Sequence, residues 1–136
     1  MRMQNKPQFD CAVVGIGTDI ADVARIKSLI EKYGNAFLEK TFTAAEIAYC
    51  RSKADAPLHF AARFAAKEAM AKALGTGFRD SLTLKSVSVE NDELGAPFAV
   101  LDEAARKRLE EIGAGKMFVS LSHLKEYAQA FAVAAR

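Results

Sequence analysis

The sequence has no tryptophan, three prolines and only two cysteines in 136 residues. Cys11 and Cys50 stand far apart and form no Cys-x-x-Cys pair, which excludes a thiolate zinc site and a dithiol redox centre. They are expected to be two reduced, partly buried thiols of a cytosolic protein. No apolar run approaches the roughly 20 residues of a membrane span. Residues 1–10 (MRMQNKPQFD) lack the apolar core of a signal peptide and predict a loose arm ahead of one domain over residues 11–136. Charge of one sign is also missing: 19 Lys and Arg against 17 Asp and Glu leave a net +2. That balance excludes the broad basic field of a nucleic-acid binder. A soluble, cytoplasmic protein is expected, with neither nucleic acid nor membrane as partner. The chain is too short for the roughly 250 residues of a TIM barrel. Its 51% apolar content excludes wholesale disorder.

What is there is an ordered series of elements. Residues 11–16 form a short apolar strand, and Gly17-Thr-Asp19 is expected to break it. From Ala21, the residues Val23, Ile26, Leu29, Ile30 and Tyr33 recur at helical spacing, and Gly34 supplies the stop. Thr43-Ala-Ala-Glu46 matches a capping box, so a second helix runs to about Arg51. Asp55 and Pro57 open a long alanine-rich helix that ends at Gly75-Thr-Gly77. Residues 82–90 are β-rich, 91–95 a turn and 98–101 a returning strand. A helix near 104–112 and two alternating strands, 117–123 and 127–134, follow. The class is α+β, with helices packed on a mainly antiparallel sheet.

Three places carry chemistry. Gly15-Ile-Gly-Thr-Asp-Ile20 begins as Gly-x-Gly after a strand, but a dinucleotide fingerprint needs a third glycine where Ile20 stands. What remains is Asp19 between a strand and a helix, where spacing alone points to a helix cap. On the long helix, Glu68 and Lys72 are i,i+4 neighbours. They suit either a surface ion pair or a carboxylate ligand beside a phosphate-binding ammonium. Arg63 and Lys67 are also i,i+4, both positive, which favours an anionic partner. Ser120-Leu-Ser-His123 ends a strand. It makes no triad by itself, and His123 suits either a structural role or a phosphate contact. Two carboxylates amid cations match Mg²⁺ with a pyrophosphate.

Gly15-Ile-Gly-Thr-Asp-Ile20, Arg63-Phe-Ala-Ala-Lys-Glu-Ala69, Lys72-Ala-Leu-Gly-Thr-Gly77, Asn91-Asp-Glu-Leu-Gly-Ala-Pro97 and Ser120-Leu-Ser-His-Leu-Lys-Glu-Tyr-Ala128 together resemble the holo-[acyl-carrier-protein] synthases. These are the short, bacterial type of 4′-phosphopantetheinyl transferase. The resemblance runs from about Val13 to Val133. It implies that fold, and transfer of phosphopantetheine from coenzyme A to a serine of an apo acyl carrier protein, releasing adenosine 3′,5′-bisphosphate. By the same resemblance Asp19 and Glu68 bind Mg²⁺, and Lys72 lies near the transferred phosphate. Arg63, Lys72, Gly75 and His123 contact coenzyme A. Arg25 docks the acidic carrier protein, with Leu29 beside it. The serine proton goes to a metal-bound hydroxide or to Glu68. Homotrimers with active sites between subunits are implied too. The chain departs at Leu124, where the family often has a small hydroxyl residue. The competing expectation is a module that binds coenzyme A or carrier protein without transferring anything.

Overall fold

The computed structural model describes residues 11–136. The arm expected over residues 1–10 lies outside them. The element order is β1 (Val13–Asp22), α1 (Val23–Tyr33), α2 (Asn35–Thr41), α3 (Ala44–Arg51), α4 (Ala56–Leu74), a 3₁₀ turn (Leu84–Ser86), β2 (Val87–Asn91), β3 (Pro97–Leu101), α5 (Glu103–Glu111), β4 (Lys116–His123) and β5 (Tyr127–Ala135). Two antiparallel sheets result, one in the order β1-β5-β4 and the other β2-β3. The expected α+β class with an antiparallel sheet is what forms.

β1 corrects one expectation. Gly17-Thr-Asp19 does not break the strand, which pairs with β5 down to Asp22 opposite Tyr127. The two glycines serve packing instead. A Cβ at Gly15 would collide with the Ala73 carbonyl, and one at Gly17 with the Ala69 carbonyl. Both glycines let α4 lie directly on β1. The opposing strand is equally spare: Ala128, Ala130, Ala132 and Ala134 are buried on the same face. α4 itself buries Ala61, Ala62, Ala65, Ala66, Ala69, Ala71 and Ala73. Small residues on both sides bring helix and sheet backbones close together.

Capping follows the sequence in part. The Thr43–Glu46 box is present, Asp55 caps α4 and Gly75 ends it in a left-handed conformation. Asp19, however, does not cap α1. Asp22 does, accepting from the Arg25 backbone N–H at 3.3 Å. The helix between Gly34 and Phe42 has no expectation to match. The β-rich stretch from Leu82 contributes strand only from Val87.

The other face of the three-stranded sheet is open. Ile16, Ile20, Phe118 and Phe131 point away from α4 and are 54–62% exposed. One buried ion pair crosses the core. Lys67 reaches Glu46 at 2.6 Å, both fully buried. The ammonium also donates to the carbonyl oxygens of Leu84 and Val87, and Glu46 accepts from the Val89 backbone N–H. The acid that offsets Lys67 is therefore inside the chain, contrary to the anionic partner expected for it. Both cysteines are free, as expected, but neither is partly buried. Cys50 is buried, its thiol pushed up to about 12 chiefly by burial. Cys11 is exposed.

Candidate active site

β1 and α4 bring together residues about 50 positions apart. Lys72, on the last turn of α4, donates to the Thr18 carbonyl oxygen at 2.9 Å and to Asp19 Oδ1 at 3.2 Å. The ion pair of Lys72 is thus with Asp19 across two elements. The helical surface pair with Glu68 is not the contact formed. Glu68, one turn earlier, stands near both. Its carboxyl is held above the ordinary value by burial first and by the negative charge of Asp19 second, while Lys72 pulls the other way. Two carboxylates and one ammonium therefore share a small volume, a meeting that spacing in the sequence does not show.

That volume opens into a cleft of about 460 Å³ between α1, α4 and β1, lined by Asp19, Ile20, Arg25, Leu29, Phe64 and Glu68 among others. The periodicity of α1 explains the far wall. Val23 and Ile26 are buried, which turns Leu29 and Arg25 toward the rim of the cleft. The two carboxylates and the two residues expected to dock a partner thus line one opening.

Arg63 and His123 are elsewhere. The Arg63 guanidinium stacks at 4.0 Å on the Tyr49 ring and donates to Asn91 Oδ1. His123 pairs in register with Ala128, which pairs in turn with Ala21. β4 is thus two strands from β1, about 10 Å at ordinary strand spacing. The His123 ring meets His59, with centroids 5.8 Å apart. A second polar cluster, of Tyr49, His59, Arg63 and His123, therefore lies on a different side of α4 from Asp19, Glu68 and Lys72. Gly75 sits at the C-terminus of α4, within reach of Arg108, whose Nε donates to the Leu74 carbonyl oxygen.

Tyr49 and His59 escaped the sequence analysis. The signal for His59 was there: it precedes Arg63 by four, on the same helical face. Tyr49 belongs to another helix, and no local pattern joins it to Arg63.

Residues 15–132 match the family described as the 4′-phosphopantetheinyl transferase superfamily. The chain belongs to this family. A holo-[acyl-carrier-protein] synthase of Ruminiclostridium cellulolyticum is 45% identical over 119 residues, covering 87% of this chain and 89% of the relative. One from Geobacter sp. (strain M21) is 42% identical over 111 residues, 82% of this chain and 89% of the relative. Among solved structures, the holo-[acyl-carrier-protein] synthase of Neisseria meningitidis superposes with a TM-score of 0.83 at 37% identity, covering 91% of this chain and 99% of that one. The Helicobacter pylori synthase, solved in complex with coenzyme A, superposes with a TM-score of 0.78 at 28% identity, over 88% and 99% of the two chains. The transferase superfamily is one of enzymes, and this chain is an enzyme of it.

Proposed function

We propose that the protein transfers the 4′-phosphopantetheine group of coenzyme A to a serine hydroxyl of an apo acyl carrier protein, releasing adenosine 3′,5′-bisphosphate. The observation that carries this reading is the meeting of Asp19, Glu68 and Lys72 at one end of a cleft whose other wall holds Arg25 and Leu29. The names of the relatives and the coenzyme A complex of the Helicobacter pylori synthase support it.

The donor set suits Mg²⁺. No group of three or more His, Cys, Asp or Glu residues clusters as a cage among the described residues. Mg²⁺ needs no such cage, because it takes one or two carboxylates and completes its shell with phosphate oxygens and water. Burial first and the charge of Asp19 second hold the Glu68 carboxyl above its ordinary value, and a dication between the two carboxylates would offset both. When bound, Mg²⁺ would neutralise charge on the pyrophosphate and its leaving group. Lys72 adds its ammonium to the same task. Glu68 is the group we assign to take the serine proton. Arg25 meets the acidic surface of the carrier, and Leu29 adds an apolar contact beside it.

Arg63, Gly75 and His123 are assigned to coenzyme A. Arg63 and His123 lie on a different side of α4 from Asp19, so one coenzyme A that touches both groups would reach them through two copies of the chain. The open sheet face of Ile16, Ile20, Phe118 and Phe131 is where we place the contact between copies, in a homotrimer with its sites between subunits. No helix among the described residues is long and apolar enough to cross a membrane, and we place the reaction in the cytoplasm.

The test is intact-protein mass spectrometry of an apo acyl carrier protein incubated with this protein, coenzyme A and Mg²⁺. A mass gain of one phosphopantetheine, lost with EDTA, is the expected result. No gain with several apo carriers, from a sample that binds coenzyme A, would leave a binding module instead.

A further inference from the structure

His59 has no part in the transfer described above, yet it stands at the centre of a charged cluster. It lies on α4 one turn before Arg63, half-buried. Its ring packs edge-on between two others, Tyr49 of α3 at 6.0 Å and His123 of β4 at 5.8 Å between centroids. Two permanent cations rest against the same tyrosine. The Arg63 guanidinium is 4.0 Å and the Lys53 ammonium 4.8 Å from the ring centroid.

Arg63 is 2% exposed, and its Nε is a buried donor with no hydrogen-bond partner among the described residues. Buried donors are nearly always satisfied, and leaving one unmade is costly. The guanidinium fork matches the oxygens of a phosphate. The one acid among the charges acting on His59 is Asp55, and its carboxylate already caps α4 through the Leu58 backbone N–H. The cluster is short of negative charge.

The groups that face His59 come from every neighbouring element. Tyr49 and Lys53 come from α3 and the turn after it, Asp55 from the cap of α4, Arg63 from α4 itself, and His123 from β4. Burial lowers the proton affinity of His59 most, then the charges of Arg63, His123 and Lys53, with Asp55 opposing. All of these but Asp55 favour the neutral imidazole. An anion among these cations would offset what holds it neutral.

We propose that His59 is the proton-accepting member of an anion subsite: when a phosphate dianion binds among Lys53, Arg63 and His123, His59 takes a proton from solvent and faces the dianion as a further cation. This inference rests on the transferase reading only for the source of the phosphate, which is coenzyme A. The coupling is reciprocal, so the phosphate raises the proton affinity of His59 and the proton raises the affinity for phosphate by the same factor. Capture therefore strengthens as pH falls through the proton affinity of the bound state, and levels off below that of the free state.

The test uses His59→Gln and His59→Phe. Phenylalanine keeps the edge-on ring contacts and cannot take a proton. Calorimetric titration with coenzyme A, near pH 6.5 in two buffers of different ionisation heat, reads the protons taken up on binding. The wild type is expected to take up protons that both variants lose. Affinity at about pH 6 should fall roughly three- to tenfold in both variants, while at about pH 8 it stays within about twofold of wild type. Unchanged proton uptake in the two variants would assign the proton elsewhere and overturn the proposal. A wild-type response from His59→Phe alone would reduce the role to packing and overturn it equally. If coenzyme A binds none of the three proteins, the transferase reading falls instead. The same titration with inorganic phosphate then judges the subsite by the same criteria.

Discussion

Gly17 lies directly against the Ala69 carbonyl, so β1 touches α4 backbone to backbone just before Asp19. A methyl group at Gly17 would meet backbone and not a yielding side chain. Gly17→Ala is expected to cost about 2–3 kcal/mol, the upper range for overpacking, as measured by urea unfolding. It should also lower transfer in the folded fraction, because the strand that holds Asp19 must move off the helix that holds Glu68 and Lys72.

Glu68→Gln separates stability from activity. The folded protein holds the Glu68 proton more tightly than the unfolded chain does, because burial and Asp19 raise the carboxyl above its ordinary value. Stability from this group is therefore full below about pH 4.5 and is lost as pH rises through the folded value. Without added metal, the glutamine variant should melt at a higher temperature than wild type at pH 7, and the gain should vanish on acidification. Transfer should fall about a hundredfold or more. Thermal melts across pH and the mass assay check the two halves.

Lys67→Met leaves the buried Glu46 with its backbone N–H donors, Thr43 and Val89, but without its counter-ion. Breaking one partner of such a pair costs about 3–5 kcal/mol. The double variant Lys67→Met with Glu46→Gln should recover part of that loss in the same urea titration. A Lys67→Met cost below about 1 kcal/mol would mean that Glu46 finds another partner or a proton.

Arg25→Glu reverses the charge at the cleft rim. The KM for the acidic carrier should rise roughly tenfold, with the KM for coenzyme A unchanged. An equal rise in both would place Arg25 on the coenzyme and not on the carrier.

Two inactive variants should complement each other if the sites lie between copies. Glu68→Gln and Arg63→Ala spoil different sides of α4. Mixed after partial unfolding and refolding, they should regain transfer that neither shows alone. Phe131→Asp, on the open sheet face, should shift the elution volume toward a single chain and remove the complementation.

The elements most legible in the sequence were those with strong local signals. The Thr43 box, the Asp55 cap and the stop at Gly75 each encode a backbone decision within four residues. The long helix and the final hairpin follow from periodicity. β1 was cut short because Gly17 looks like punctuation, whereas its small size answers α4, more than 50 residues away. The same distance explains the cap. Asp19 is the acid that precedes a helix read from Ala21, and only the pairing of β1 with β5 carries the strand on to Asp22, which becomes the cap. α2 went unseen because seven residues give too little periodicity. Among the site residues, Asp19, Glu68 and Lys72 were singled out by type and then gathered by the fold. The need of Lys67 for a negative charge is legible, but no local pattern points from it to Glu46, so the sequence favours an anionic partner instead. Tyr49 and His59 acquire meaning only when α3, α4 and β4 converge.

Where α4 lies on β1 and β5, the helix contributes alanines and the strands alanine and glycine. These side chains are already close to the smallest available, so nearly every substitution along the seam enlarges something. Such an interface has no graded way to loosen. Random mutation there should give a two-class outcome, tolerated or collapsed, with few weakened intermediates. Gradual adjustment of partner or substrate preference is left to α1 and the cluster around Tyr49, where large side chains remain to be trimmed.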